Sequence, residues 1–129
     1  MATLNAKVTL SSSDVASSSI NIGVTKSITI TAGGINTIKV TATAVGATAS
    51  TVYTASDFSA PAYLYLKNRD TTATDYIYIY DDTTSGDPVI LQLAGGDWAF
   101  LPISADKTLK AYAATTGTMI EYGVFGTDA

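Results

Sequence analysis

Two short segments of this chain alternate tyrosine with an aliphatic residue, which is the pattern of a β-strand that can bury both of its faces. Residues 63–66 read Tyr-Leu-Tyr-Leu, and residues 76–80 read Tyr-Ile-Tyr-Ile-Tyr. Because successive side chains of a strand point to opposite faces, the aliphatic residues of each segment share one face and the tyrosines share the other. We therefore predict two adjacent strands of one sheet, with the aliphatic face buried and the tyrosine face turned outward.

The rest of the chain also favours strands over helices. No segment combines helical apolar spacing with capping residues, and turn residues recur about every 8–12 positions between runs rich in Thr, Val, Ile and Tyr. We predict an all-β fold, an antiparallel β-sandwich for which a jelly roll is one available form. For the second half of the chain we predict a meander of consecutive antiparallel strands, and a Greek key is the alternative.

Glycine-rich segments mark the expected turns. Gly33-Gly34, residues 94–97 (Ala-Gly-Gly-Asp) and residues 115–117 (Thr-Thr-Gly) are each expected to close a hairpin. In the strand after the second of these turns, Trp98 and Phe100 share one phase. We expect that pair of rings to fill the core of the aromatic half.

A chain of 129 residues corresponds to one domain, and halves of about 60 residues would each have a marginal core. We therefore predict a single β-sandwich domain over residues 1–129. The serine-rich run at 11–19 predicts a loop or hinge, which would make residues 1–18 an N-terminal arm and hinge. Leu4 and Val8 would let this arm pair with a neighbouring subunit.

Composition narrows the chemistry available to the chain. Cysteine is absent, which excludes disulfides and thiolate metal sites, and histidine is absent, which removes the commonest general base and metal ligand. Asp81, Asp82 and Asp87 lie around Gly86, but their spacing does not match a calcium-binding loop. We favour a solvated turn over an ion site there, and we expect no enzyme activity, no cofactor and no metal.

The charge of the chain bears on its partners. The net charge is −4 and only 14% of residues are charged, against roughly 25% in an average domain. The absence of a basic patch argues against nucleic acid or an anionic membrane as a partner. No apolar run reaches the length of a membrane span and the N-terminus does not resemble a signal peptide, so we expect synthesis in the cytoplasm. A weakly charged, β-rich surface suits a component of an assembly.

The tyrosine face is the candidate functional site. Tyrosine is enriched in protein interfaces because its ring brings contact area and its hydroxyl a hydrogen bond. Two alternatives remain: the rings pack within the same sandwich, or they form a platform for sugars beside Asn68, Asp75, Asp81 and Asp82. The predicted interface residues are Tyr63, Tyr65, Tyr76, Tyr78 and Tyr80.

The order of segments in the second half provides a resemblance. The segments are 62–68 (Ala-Tyr-Leu-Tyr-Leu-Lys-Asn), 76–80, 89–93 (Val-Ile-Leu-Gln-Leu), 95–103 (Gly-Gly-Asp-Trp-Ala-Phe-Leu-Pro-Ile), 109–113 (Leu-Lys-Ala-Tyr-Ala) and 120–125 (Ile-Glu-Tyr-Gly-Val-Phe). This order resembles a group of small β-domain virion structural proteins of tailed bacteriophages. The likeness covers residues 60–126, and residues 1–60 do not share it.

The resemblance implies a structural role on the virus particle, either as a capsid cement (decoration) protein or as a tail component. It implies the major capsid protein or another virion protein as the partner, and a homo-oligomer, dimer or trimer, as the binding form. The alternative function is a carbohydrate-binding module or tail adhesin that uses the same tyrosines together with Trp98.

Overall fold

The computed structural model describes residues 2–14 and 18–128, with the side chains of all of these except residues 60 and 61. Ten strands form within the described residues, and no helix. The strands are β1 (Ala2–Ser12), β2 (Ile20–Ile30), β3 (Ala32–Val40), β4 (Ser50–Tyr53), β5 (Phe58–Asn68), β6 (Ile77–Asp81), β7 (Val89–Leu93), β8 (Trp98–Ile103), β9 (Leu109–Ala113) and β10 (Thr118–Asp128). Two compact units contain them, Met1–Thr31 and Ala32–Ala129.

The second unit is a sandwich of two four-stranded antiparallel sheets. Sheet I has the order β3-β10-β5-β8, and sheet II has the order β4-β9-β6-β7. Every pairing within these sheets is antiparallel. Eight strands in these two orders are the topology of a jelly roll. The predicted all-β antiparallel sandwich is therefore confirmed, and it takes the jelly-roll form.

The predicted meander of the second half is wrong. Among consecutive strands of the sandwich, only β6 and β7 pair with each other, and the other connections pass from one sheet to the opposite one. The turns at 94–97 and 115–117 therefore do not close hairpins: the first joins β7 to β8 and the second joins β9 to β10. Gly96 and Gly117 adopt positive φ angles of 86° and 93° in these turns, which glycine does without strain.

The core lies between the two sheets, and the aliphatic residues of both tyrosine-rich segments supply its centre. Leu64 and Leu66 on β5 and Ile77 and Ile79 on β6 are completely buried and belong to one cluster. The prediction that these residues face inward is confirmed. The two strands are not neighbours in one sheet, however, because β5 lies in sheet I and β6 in sheet II. Their aliphatic faces pack toward each other, and their tyrosines point to opposite sides of the sandwich.

Two glycines expected in a hairpin lie inside a strand instead. Gly33 and Gly34 belong to β3 and pair with Phe125 and Val124 of β10. A Cβ at Gly33 would lie 2.5 Å from Cδ1 of Phe125, so the phenyl ring occupies the space over this glycine. Covering a strand glycine with an aromatic ring from the adjacent strand restores side-chain packing there. Gly33 thus serves the packing of β10, while Gly34 has open space around it.

Asn68 fastens the end of the sandwich at which β5 leaves sheet I. Its side chain is completely buried, and its Nδ2 donates to the carbonyl oxygens of Asp75 at 2.7 Å and Leu93 at 3.0 Å. Its Oδ1 accepts a hydrogen bond from the backbone N–H of Asp70 at 3.0 Å. One amide group therefore satisfies three backbone groups, two of which lie in the loop between β5 and β6, as buried polar groups require.

The first unit is a long hairpin formed by β1 and β2, which we call the arm from here on; because it includes β2, it extends past the predicted N-terminal arm of residues 1–18. Eleven residues of β1 pair in unbroken register with eleven of β2, from Ala2 opposite Ile30 to Ser12 opposite Ile20. Leu4 pairs with Ile28, and Val8 pairs with Val24. Ser11 and Ser12, the first two residues of the serine-rich run, belong to β1, and residues 15–17 of the predicted hinge lie outside the described residues.

Candidate interaction surfaces

The outer face of sheet I carries Tyr63 and Tyr65 of β5. Tyr65 has Gly123 of β10 on one side and Phe100 of β8 on the other, while Tyr63 lies between Phe125 and Pro102. The rings of Tyr63 and Phe100 are stacked, with centroids 5.9 Å apart and planes inclined by 8°. Tyr63 is buried among these neighbours, and Tyr65 is partly exposed.

Glycine at position 123 allows the aromatic rings to lie flat on sheet I. A Cβ there would lie 2.9 Å from Cε2 of Phe125 and 3.1 Å from Cγ1 of Ile35. The side chain of Ile35 therefore reaches over the β10 backbone from β3, and the ring of Phe125, on β10 itself, lies over the same glycine. The result is a continuous apolar surface across four strands, in which Ile35 and Trp98 are more than half exposed.

A small polar network borders this apolar surface. The hydroxyl of Tyr65 donates to Oε1 of Glu121 at 2.9 Å, and Nη1 of Arg69 lies 2.8 Å from Oε2 of the same carboxylate. The hydrogen bond from Tyr65, followed by that from Arg69, lowers the pKa of Glu121. Burial, and then the carboxylate, raise the pKa of Tyr65. The network keeps Glu121 ionised and fixes the orientation of the Tyr65 ring.

The outer face of sheet II carries the other tyrosines. Tyr78 of β6 stacks on Tyr112 of β9, with ring centroids 4.9 Å apart, and Tyr76 packs on Tyr78 at 6.3 Å. Tyr76, Tyr78 and Tyr112 are all partly exposed. We call these three residues the tyrosine strip. Tyr112 is absent from the predicted interface, although its alternation with Leu109, Ala111 and Ala113 in one strand is the signal that places it on this face.

Tyr80 lies at the end of this row but is not part of its surface. It is completely buried in a second cluster with Ala42 and Ala49, below the segment that joins β3 to β4. Its hydroxyl donates to the carbonyl oxygen of Gly46 at 3.4 Å and accepts from the Gly46 N–H at 3.2 Å. Tyr80 therefore anchors a loop, which corrects its expected place on an outward face.

The five predicted tyrosines thus do not form one surface. The structure separates Tyr63 and Tyr65 from Tyr76, Tyr78 and Tyr80, and it buries the first and last of the five. The role of the partly exposed rings as a partner interface stays a prediction.

The expectation that Trp98 and Phe100 fill the core is wrong. In β8 the smaller residues Ala99 and Leu101 pair with Leu66 and Leu64 and pack against the core, so the two rings point outward. Trp98 is more than half exposed. The aliphatic residues at 99, 101 and 103 are the signal in the sequence that this side of β8 faces the core, because the side chains of a strand alternate between its two faces.

The acidic turn between β6 and β7 is held by hydrogen bonds and ion pairs. The carboxylate of Asp81 accepts hydrogen bonds from the backbone N–H and hydroxyl of Thr83 and from the hydroxyl of Thr84, and Nζ of Lys107 lies 3.2 Å from Oδ2. These hydroxyl bonds, Thr83 first, hold the pKa of Asp81 far below its usual range. Asp82 pairs with Lys110 at 3.0 Å. Across the part of the chain that the structure describes, no group of three or more acidic side chains is placed to hold a metal ion.

A small pocket opens between β4 and β10, lined by Thr51, Tyr53, Asp57, Phe58 and Tyr122 among others. Its volume is about 190 Å³. Pockets for organic ligands usually measure about 300–1,000 Å³, so this one is too small for a ligand of that class. The flat outer faces of the two sheets are therefore the better candidate sites.

Comparison with known proteins leaves these surfaces to be interpreted on their own geometry. No protein-family model matches the chain, and no curated protein matches its sequence. Within residues 2–14 and 18–128, no helix is long and apolar enough to cross a membrane.

Proposed function

We propose that this chain is a structural protein of a tailed-phage particle, specifically a capsid cement or decoration protein that binds the lattice of the major capsid protein. The observation that carries the proposal is that both sheets of the sandwich have aromatic rings on their outer faces as well as an aliphatic core between them. A self-contained domain needs only the inner faces to be apolar. Apolar outer faces suit a domain that is covered in its working state.

Two further features support this role. Jelly rolls occur among viral capsid and lectin domains, and this analogy of fold supports a role on a capsid. The charge of the chain is low, so many copies can lie side by side with little repulsion. On a repeating shell, modest contacts by each copy add up when neighbouring copies are linked.

We assign lattice binding to the tyrosine strip. Its rings give contact area on the exposed side of sheet II, and their hydroxyls can accept or donate at the rim of an interface. Ile90 of β7, on the same sheet, is nearly half exposed and adds apolar surface. Interfaces concentrate their binding free energy in a few such rings, each contributing about 2 kcal/mol or more.

The test mixes the purified full-length chain with empty shells assembled from the major capsid protein encoded in the same genome. We expect saturable co-sedimentation and a higher temperature of shell disruption. Tyr78→Ala should weaken binding about tenfold or more, corresponding to the loss of one central ring. Thr37→Ala, at an exposed position of sheet I, is the matched control and should bind as the unmodified chain does. No co-sedimentation of the unmodified chain would refute the proposal.

Sugar binding is the second candidate, and the exposed indole of Trp98 is the observation that favours it. A flat, accessible ring on a sheet can stack on a pyranose face. The stacking of Tyr78 on Tyr112 argues against sugar binding by the tyrosine strip, because one face of each ring is already covered by the other ring. Binding on a glycan array that disappears in Trp98→Ala would support this reading, and a negative array together with shell binding would exclude it.

A further inference from the structure

The arm has one aliphatic face and one polar face. Residues paired in register across an antiparallel hairpin point to the same side. One side carries the pairs Leu4–Ile28, Val8–Val24 and Leu10–Ile22, interrupted by Lys26 opposite Ala6. The other side carries the pairs Thr3–Thr29, Asn5–Ser27 and Lys7–Thr25. Such a division belongs to a ribbon that lies on another apolar surface.

Several side chains on the aliphatic face of the arm are exposed. Leu10, Ile22 and Val24, toward the loop between β1 and β2, are each more than half exposed. Two-stranded hairpins are at best marginally stable in water by themselves, and they need a third strand or a packed face to persist. The end of the arm is therefore short of a packing partner.

We propose that the aliphatic face of the arm binds the outer face of sheet I in a second copy of the chain. That face offers what the arm lacks: Ile35 and Trp98 are more than half exposed, and Phe100 and Phe125 are partly exposed. The aliphatic face of the arm in one copy and the mainly aromatic outer face of sheet I in another can therefore bury each other. The outer face of sheet II offers the arm less exposed apolar surface: its Ile90 is 46% exposed, against 59% for Ile35 and 53% for Trp98 on sheet I.

The area available decides between two modes of self-association. Eleven residues per strand at about 3.3 Å each, in two strands that each occupy a width of about 4.8 Å, give the arm a face of at most about 350 Å², because Ile28 on this face is already buried. Two arms packed only against each other would bury at most about 700 Å² in total, which is the size of a crystal-packing contact. Two copies that each donate one arm and accept one can bury up to about 1,400 Å², within the range of specific interfaces. We therefore infer reciprocal exchange, which closes as a two-fold dimer.

The proposal does not depend on the role at the particle, since it concerns a different sheet and a different partner. Trp98 is the chain's single tryptophan and lies on the accepting face, so its fluorescence reports on docking. Light scattering and Trp98 emission should be followed together as the full chain is diluted. We expect a dimer whose dissociation to monomer coincides with a red shift of the emission, because the indole then returns to water.

Two matched pairs of variants locate the contact. Val24→Asp, on the aliphatic face of β2, should raise the dimer dissociation constant at least tenfold, while Thr25→Asp on the polar face should leave it unchanged. Ile35→Asp on sheet I should raise it similarly, while Ile90→Asp on sheet II should not. Circular dichroism confirms that each variant retains its sheets.

Three results would overturn the proposal. The first is a chain that stays monomeric at millimolar concentration. The second is a Trp98 emission that is shielded but independent of concentration, which would place the arm on its own sandwich. The third is a dimer that Val24→Asp and Ile35→Asp leave intact. Because shell binding is assigned to the tyrosine strip, co-sedimentation can succeed while dimerisation fails, and the reverse.

Discussion

Replacing Asn68 with aspartate tests how the connections at one end of the sandwich are held together. The substitution keeps the shape of the side chain and the oxygen that accepts from Asp70. It removes the amide that donates to the carbonyl oxygens of Asp75 and Leu93 at 2.7 and 3.0 Å. An ionised carboxylate would then face two carbonyl oxygens in a site without solvent. We expect Asn68→Asp to fold only with the new carboxyl group protonated.

That requirement fixes the magnitude and its dependence on pH. Protonating a carboxyl whose pKa in the unfolded chain is about 3.9 costs about 4 kcal/mol at pH 7, at about 1.4 kcal/mol per pH unit. The protonated group can donate to one carbonyl and not to both, so the lost hydrogen bond adds about 1 kcal/mol. The folded-state pKa is raised, so the folded state binds the extra proton and stability falls as pH rises. The deficit relative to the unmodified chain should be about 5 kcal/mol at pH 7 and about 1 kcal/mol at pH 4.

Urea denaturation between pH 4 and pH 7, followed by the near-ultraviolet circular dichroism of the tyrosines, measures this deficit. Asn36→Asp is the control, because residue 36 is exposed on β3 and receives the same charge. Its difference from the unmodified chain should be small at every pH. The reasoning is refuted if Asn68→Asp loses less than about 1 kcal/mol at pH 7, or if its deficit does not change with pH.

Three further predictions concern other parts of the sandwich. Asp81→Asn should lower the free energy of unfolding by about 1–3 kcal/mol at pH 7. Because the pKa of Asp81 is lowered in the folded state, the stabilisation by its carboxylate is present above the unfolded-state pKa and is lost on acidification. The difference in unfolding free energy between the variant and the unmodified chain should therefore shrink as the pH falls below about 4. Gly95→Ala should destabilise by about 1–3 kcal/mol because its Cβ would lie 2.8 Å from the carbonyl carbon of Thr72, whereas Gly34→Ala, with open space around it, should be neutral or slightly stabilising in thermal unfolding. Tyr80→Phe should lose about 1 kcal/mol and increase hydrogen exchange at the Gly46 amide, and unchanged exchange would contradict the anchoring role of the hydroxyl.

The alternation of residues in the sequence predicts the all-β sandwich, but it does not predict how the tyrosines are distributed over the two sheets. The alternation in residues 63–66 and 76–80 correctly indicates which side chains enter the core, because the face of a side chain depends only on strand geometry. Which sheet each strand joins depends on pairings between distant residues, such as Leu64 with both Val124 and Leu101. No local pattern encodes that choice, so two similar segments were expected side by side and lie in opposite sheets.

The glycines show the same limit from another direction. Gly-Gly is a common turn signal, and Gly33-Gly34 gives no sign in its own neighbourhood that a phenyl ring 92 residues later will lie on it. Tyr80 is similar, since its burial depends on the loop around Gly46 rather than on its own strand. The alternation of residues identifies the inward faces of β5 and β6 but not that of β8, where Ala99 and Leu101 rather than Trp98 and Phe100 face the core. The burial of outward residues depends on what distant segments of the chain place over them.

The four edge strands of the sandwich, β3, β8, β4 and β7, differ in how readily they could pair with a strand from another chain. Among the strands described, β8 carries Pro102, which lacks an amide proton, while β4 has four residues and an irregular register and β7 has only five residues. β3 runs for nine residues without proline, with Lys39 as its one charged side chain. Unpaired backbone groups on a long, regular margin are what fibril growth and donor-strand capture exploit. Within the sandwich, any such lateral growth is therefore directed to β3, and a proline or a second lysine placed there is the natural way to suppress it.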